Sequence, residues 1–316
     1  MIPTDSTMCP RLRGRCRAII YLEKRATVPM PLDEATRKAY LEFYEYDRDL
    51  PFLTEVSELK DYGSHIAFDV KLESAHDQLV PSIYVRPKGK GPFPGLVFLH
   101  GRGGSKKDIG SIAPLLVGAG YAGIAIDCQY HGDRNPRNRN IYSQYVYSDR
   151  DAMIQTVIDG RRAVDFLQSR KEIDPDRIGL LGGSMGGILG TLLAAVEKRI
   201  RASALLVAGG NWAVLVAKSQ HKDGKALRQL KVDAEKLARV MAPVDPINFV
   251  DLISPRPVLF QLGKKDDIVP AETGRMLFEA AKEPKEVDWY DAGHGLPMDK
   301  VVPRVMSWLG QHLKAP

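Results

Sequence analysis

Residues 182–186 read Gly-Gly-Ser-Met-Gly, a serine set among glycines at the spacing G-x-S-x-G. Such a spacing lets a strand turn abruptly into a helix with the hydroxyl of Ser184 exposed at the tip, because glycines on either side allow two backbones to pass close together. A hydroxyl alone does little to an ester or amide. Hydroxyls are weak nucleophiles at neutral pH, and the tetrahedral intermediate carries a negative oxygen. The chemistry needs a base to take the serine proton, a carboxylate to orient that base, and backbone donors for the oxyanion.

The elbow resembles that of α/β-hydrolases, and the resemblance implies partners in the chain order serine, acid, histidine. Beyond residue 250 there are two histidines, His294 and His312. His312 falls in a terminal helical segment. His294 follows the last apolar strand in YDAGHGLP, with Gly293 and Gly295 beside it, and is the expected base. The acid should lie just past the carboxyl end of the preceding strand, in VLFQLGKKDDIVP, where open α/β sheets place their sites. Asp266 is the favoured carboxylate, with Asp267 an exposed neighbour or a cap for the next helix. For the oxyanion, the expected donors are the amide of Met185, at the start of the helix after the nucleophile, and the amide of Arg102 in FLHGRGGSKKD. The Arg102 side chain has two open readings, a contact for an acidic substrate or an arginine in solvent or paired with an acid.

The elements that must hold these residues are legible as short apolar runs. Strands are expected at TEVSELK, HIAFDVKLES and LVPSIYVRP, then at GLVFLH (95–100), AGIAID (122–127), RIGLLG (177–182), ASALLVAG (202–209), PVLFQLG (257–263) and EVDWYD (286–291). Helices are expected from about 106, over about 149–169, from Ser184, from about 271 and at the end of the chain. Apolar strands separated by helices indicate a mostly parallel sheet covered on both faces, preceded here by antiparallel strands. The alternation breaks at 211–250, where KALRQLKVDAEKLARVM has helical spacing, and a small helical lid is expected there. A second irregular stretch, 129–150, is polar and rich in tyrosine. Tyr142 and Tyr145, with Tyr147 nearby and with Asn211 and Trp212, are candidate walls of a substrate pocket, against the alternative that they only pack.

Composition narrows the class. A chain of 316 residues that is 44% hydrophobic can bury the core of one large α/β domain, expected over 51–316, with residues 1–50 as an extension that is basic at its start. Of the net charge of +6, four units come from residues 1–25 (RLRGRCR and its surroundings), so the body is nearly neutral and no nucleic-acid partner is expected. No apolar run approaches the ~20 residues that span a bilayer, and no signal-peptide core is seen, so a cytoplasmic protein without a membrane partner is expected. The 3 cysteines, Cys9, Cys16 and Cys128, lack disulfide or metal-site spacing. His65, His76 and His221 lack ligand spacing as well, so no metal and no cofactor are expected. Self-association into a homo-oligomer stays open.

The segments HGRGG, DPDRIGLLGGSMGG, GKKDDIVP and AGHG resemble those of the α/β-hydrolase superfamily, and more narrowly its dienelactone-hydrolase-like and prolyl-oligopeptidase-like esterase branches. The likeness runs from about residue 54 to 312. It implies an α/β-hydrolase fold with an eight-stranded, mostly parallel sheet, helices on both faces and a lid. It also implies a triad of Ser184, Asp266 and His294, with the Met185 and Arg102 amides as oxyanion hole. Dienelactone hydrolases proper carry cysteine at the elbow, where this chain has Ser184, and the oligopeptidases carry a propeller for which the preceding segment is too short. Both differences point to a serine carboxylesterase for short- to medium-chain acyl esters of small molecules. A thioesterase or acyltransferase of the same fold, a peptidase and a catalytically silent ligand-binding protein are the alternatives.

Overall fold

The computed structural model describes residues 32–49 and 54–313; the basic stretch 1–25, with Cys9 and Cys16, lies outside the described residues. Helix α1 (Glu34–Glu42) precedes strands β1 (Thr54–Asp61), β2 (His65–Ser74), β3 (Gln78–Pro87) and β4 (Phe93–Leu99). Helix α2 (Ile109–Gly118), β5 (Ala122–Ile126), α3 (Val146–Ser169), β6 (Ile173–Gly183), α4 (Met185–Val196) and β7 (Ile200–Leu206) then alternate. Three short helices, α5 (Trp212–Lys218), α6 (Lys222–Gln229) and α7 (Ala234–Met241), interrupt the alternation before β8 (Val258–Gly263), α8 (Ala271–Ala280), β9 (Lys285–Tyr290) and α9 (Met298–His312).

The strands form one sheet in the order β1-β2-β3-β5-β4-β6-β7-β8-β9. Its first three pairings are antiparallel and the rest parallel. Among the described residues the sheet therefore has nine strands, not the eight that the family likeness implies. Each of the nine segments marked in the sequence contributes one.

Burial on both faces explains the near-continuous apolar strands. Side chains alternate across a strand, so in β4 Leu96 joins Leu116 of α2 and Val301, Val305 and Trp308 of α9. Val97 and Leu99 point the other way, into a cluster with Val157 and Val164 of α3 and Leu189 and Leu192 of α4. All three β4 residues are 0% exposed, and each such burial is worth roughly 1.5–3 kcal/mol against exposure. The chain leaves β4 toward β5 on one side and returns through α3 to β6 on the other. The order reverses at β4, and the carboxyl ends of β4 and β6 lie side by side, with Leu99 paired to Gly182. A crevice at such a reversal is where open α/β sheets bind ligands.

The insertion is helical, as the spacing predicts, but 225–241 is two helices instead of one run. Asp233 caps α7 by accepting from the Glu235 N–H at 2.9 Å, and Lys231 just before it has φ +53°. A cap of this kind draws the backbone out of the preceding helix. Residues 32–49 are also docked, although the sequence reads them as part of an extension. The Tyr44 ring is fully buried, its hydroxyl donates to Pro243 O at 2.6 Å, and Arg161 donates to Tyr44 O at 2.5 Å. No described helix is long and apolar enough to cross a membrane.

Candidate active site

Ser184 stands at the junction of β6 and α4 with φ 56° and ψ −119°. An L-residue reaches positive φ at a cost of order 1–3 kcal/mol, and the neighbours hold it there. The Ser184 amide donates to Leu206 O at 2.9 Å, while its carbonyl accepts from Gly187 and Ile188 at 2.8 and 2.9 Å. Two glycines make the turn possible by close approach: a Cβ at Gly182 would strike Gly186 O, and one at Gly186 would strike Leu99 O. Gly186→Ala is therefore expected to abolish the folded enzyme or lower its melting temperature by many degrees, because the obstacle is backbone that cannot rotate away. Gly183→Ala, with nothing within 4 Å of its Cβ, should be tolerated. Thermal denaturation of the two variants side by side checks both.

Residues remote in sequence meet at this hydroxyl. His294 Nε2 lies 2.9 Å from Ser184 Oγ, and His294 Nδ1 lies 2.8 Å from Asp266 Oδ2. Oδ1 of Asp266 accepts from the amides of Ile268 and Val269 at 2.9 and 3.0 Å, and the side chain is 3% exposed. A carboxylate only accepts, so Nδ1 carries the ring proton and Nε2 presents a lone pair to the serine. Asp267 is exposed, and its carbonyl accepts from Gln220. His312 packs against Trp308 in α9, with ring centroids 4.6 Å apart and the ring planes tilted by 58°.

The loop bearing His294 is held by Lys265 N–H, which donates to Ala292 O at 2.9 Å. The glycine this contact depends on is Gly263, where a Cβ would strike Gly293 O. Gly293 and Gly295, which the sequence singles out, are not among the glycines with positive φ.

The donors expected for an oxyanion are uncommitted: among the described residues neither the Met185 nor the Arg102 amide has a hydrogen-bond partner. Met185 N–H belongs to the first turn of α4, where amides lack intrahelical acceptors. Arg102 is oriented through the peptide it shares with Gly101. Gly101 O accepts from His100 Nδ1 at 2.8 Å and from Gly104 N at 3.0 Å, and in a trans peptide the following N–H points the opposite way. His100 can donate because its Nε2 accepts from Cys128 N–H at 3.2 Å. Burial also holds its pKa below the usual histidine value and keeps the ring neutral. This histidine, expected only to end a strand, thus sets the loop. Gly101 lies against Ser184, its Cβ position 3.6 Å from the serine Cβ.

A cavity of about 270 Å³ opens from Ser184 and His294 beneath the lid, walled by Tyr142, Trp212, Leu215, Leu227, Leu237 and Met241. Tyr142 and Trp212, two of the expected pocket residues, face each other there at 5.7 Å between centroids. The other two expectations need correction. Tyr145 is 64% exposed and outside the cavity, because α3 begins only at Val146 and the preceding turn directs the ring to solvent. Asn211 is buried but does not line the cavity. At φ 65° it caps α5 by accepting from Val214 N–H, and the Asp245 carboxylate accepts from the backbone amides of Asn211 and Trp212 at 2.8 and 2.9 Å. It positions Trp212 instead of touching a ligand.

Sequence reasoning missed the acidic members of the wall. Asp149 is buried, and burial pushes its carboxyl up to about 6 despite hydrogen bonds from Ser143. Asp223 of α6 sits 2.5 Å from Arg102 Nε, not aligned as a hydrogen bond, and its Oδ1 accepts from Asn140 at 3.0 Å. Of the two readings of the Arg102 side chain, pairing with an acid is the one found. Nothing in the local sequence marks Asp223, which depends on how the lid folds over the β4 loop.

The family model described as the dienelactone hydrolase family matches residues 80–302. Among curated proteins, the chain is 28% identical over 237 residues to a putative hydrolase, YtaP, of Bacillus subtilis, a match covering 70% of this chain and 77% of that protein. It is 30% identical over 227 residues to mitochondrial acyl-coenzyme A thioesterase 2 of Mus musculus, covering 66% of this chain and 46% of the thioesterase. Among solved structures, an acetyl xylan esterase from Paenibacillus sp. R4 superposes with a TM-score of 0.78 at 24% identity, covering 90% of this chain and 97% of that one, a likeness of fold.

Proposed function

The chain belongs to the dienelactone hydrolase family, and from that premise we propose that it is a serine carboxylesterase cleaving short- to medium-chain acyl esters through an acyl-serine intermediate. The observation that carries this reading is the unbroken hydrogen-bonded series from Asp266 through His294 to Ser184, at 2.8 and 2.9 Å. As Ser184 Oγ attacks the ester carbonyl, its proton passes to His294 Nε2, and the imidazolium so formed is stabilised by Asp266. Electrons displaced onto the carbonyl oxygen are met by the Met185 and Arg102 amides. Collapse breaks the bond to the leaving alcohol, which takes the proton from Nε2. Water then enters and repeats the sequence on the acyl-serine, regenerating the hydroxyl and releasing the acid. No step calls for a metal or an organic cofactor.

The carbon-rich walls of the 270 Å³ cavity suit an acyl chain, since burying each CH₂ gains about 0.8 kcal/mol. Closure by Leu237 and Met241 of the lid favours short and medium chains. A panel of p-nitrophenyl esters from acetate to palmitate should give a burst of nitrophenol, highest rates for short and medium chains, and complete loss once an organophosphate has labelled Ser184. Turnover that survives stoichiometric labelling would refute the mechanism. The match to an acyl-coenzyme A thioesterase favours a second reading, thioester hydrolysis at the same serine. A preference above tenfold for a thioester over its matched oxygen ester would establish that one instead.

A further inference from the structure

A second cavity, of about 470 Å³, adjoins the first and shares Arg102, Ile141 and Asp223 with it. Its remaining walls come from the glycines after Arg102, the 130–140 loop and the start of α6. We propose that this cavity is the leaving-group subsite and takes an alcohol that carries an anionic group, in the first place a phosphate. The proposal rests on the ester-hydrolysis reading above.

The division of the two cavities follows from their chemistry. An ester bound at Ser184 has an acyl part and an alcohol part, and the first cavity offers the acyl part aliphatic and aromatic carbon. The alcohol is left with the polar side, past the Arg102–Asp223 pair. The polar groups there are not equally free. Asn135 is spent on the loop itself: its Oδ1 accepts from Arg139 N at 2.6 Å and its Nδ2 donates to Arg139 O at 2.9 Å. Asn140 is spent on Tyr142 and Asp223. Arg102 is matched by Asp223, whose other neighbours are His221 and Asn140. His131 is held neutral, its pKa lowered by burial.

Two cations remain. Among the described residues, neither Arg139 nor Lys222 has a carboxylate within ion-pair distance, although both line this cavity. Arg139 is also prepared for a ligand. Asn135 clamps its backbone on both sides, and its guanidinium lies 4.1 Å over the Tyr130 ring, leaving the N–H edges of the fork for an acceptor. A planar fork and a lysine on the walls of one cavity match the charge and acceptor pattern of a phosphate. A neutral sugar or polyol would want the planar amides that the loop has already consumed.

Three esters of one acyl chain test this: 1-hexanoylglycerol, 1-hexanoylglycerol 3-phosphate and p-nitrophenyl hexanoate. The two glycerol esters have similar leaving oxygens and differ in charge. At low ionic strength kcat/KM should be at least about tenfold higher for the phosphate ester, mostly through KM. The ratio should shrink as salt screens these exposed cations, and it should collapse toward one in R139Q/K222Q and invert in R139E/K222E. A ratio near or below one in the unaltered enzyme, or one the double variants leave unchanged, overturns the subsite while the ester reading stands. Failure to cleave even p-nitrophenyl hexanoate overturns the ester reading and the subsite with it.

Discussion

Ser184→Ala is expected to lower kcat on p-nitrophenyl esters by about 10⁴ to 10⁶, leaving a residue of catalysis due to binding and the oxyanion donors. Without Oγ no acyl-enzyme can form, and His294 can act only by activating a water directly on the ester. The fold should survive, because alanine keeps the Cβ and the backbone bonds of residue 184 are made by its amide and carbonyl. The strained backbone supplies a second readout. Ser184→Gly should be as inactive as the alanine variant but more stable by roughly 1 kcal/mol, since glycine adopts φ near +56° without penalty. That is a rise of about 2 °C in Tm for a domain of this size. A Ser184→Ala enzyme within tenfold of the unaltered one would end the nucleophile assignment. A glycine variant that melts below the alanine variant would mean that the elbow stores no strain.

The centre was legible because the chemistry restricts it doubly. A nucleophile elbow needs glycine at set offsets, and in the α/β-hydrolase fold the acid and the histidine follow it in that order along the chain, so Asp266 and His294 could be picked from the ends of two apolar strands. The central strands were legible for a related reason: a strand buried on both faces must be apolar throughout, and turns separate the runs, whereas β2 showed itself by the alternation that a half-exposed strand requires. What escaped was set by side-chain direction. Tyr142 and Tyr145 have the same composition around them, yet only the first enters the cavity, because the turn into α3 comes between them. Asn211 follows a strand end as a ligand contact would, but a short amide next to a helix start is drawn to the backbone amides there. The stripe containing Leu227, Leu237 and Met241 announces burial without stating whether it faces a core or a cavity. His100 looked like the end of β4, and its role depends on Cys128, a residue 28 positions away that fixes its tautomer.

Asp266→Asn tests the proton placement most sharply and is expected to cost about 10⁴ in kcat with little change in KM. The carboxylate uses both oxygens as acceptors, Oδ1 for two backbone amides and Oδ2 for His294 Nδ1. An asparagine can keep only one of these faces as oxygen. Turning its NH₂ toward Ile268 and Val269 would set donor against donor twice in a buried site, at roughly 1–3 kcal/mol for each group left unsatisfied. The amide oxygen therefore stays on the backbone amides, and the NH₂ faces the imidazole. Nδ1 must then accept, the ring proton moves to Nε2, and the lone pair that should take the serine proton is gone. The structure is otherwise unchanged, so the loss reports a tautomer and not a collapse. Asp267→Asn, one residue away and exposed, provides the contrast and should stay within about twofold, because its partner Gln220 bonds the backbone carbonyl. Steady-state kinetics of the two variants decide the matter, with ring-nitrogen NMR of His294 to identify the tautomer. A larger loss at 267 than at 266, or an Asp266→Asn enzyme that keeps its proton on Nδ1, would show that the carboxylate does not do what its hydrogen bonds imply.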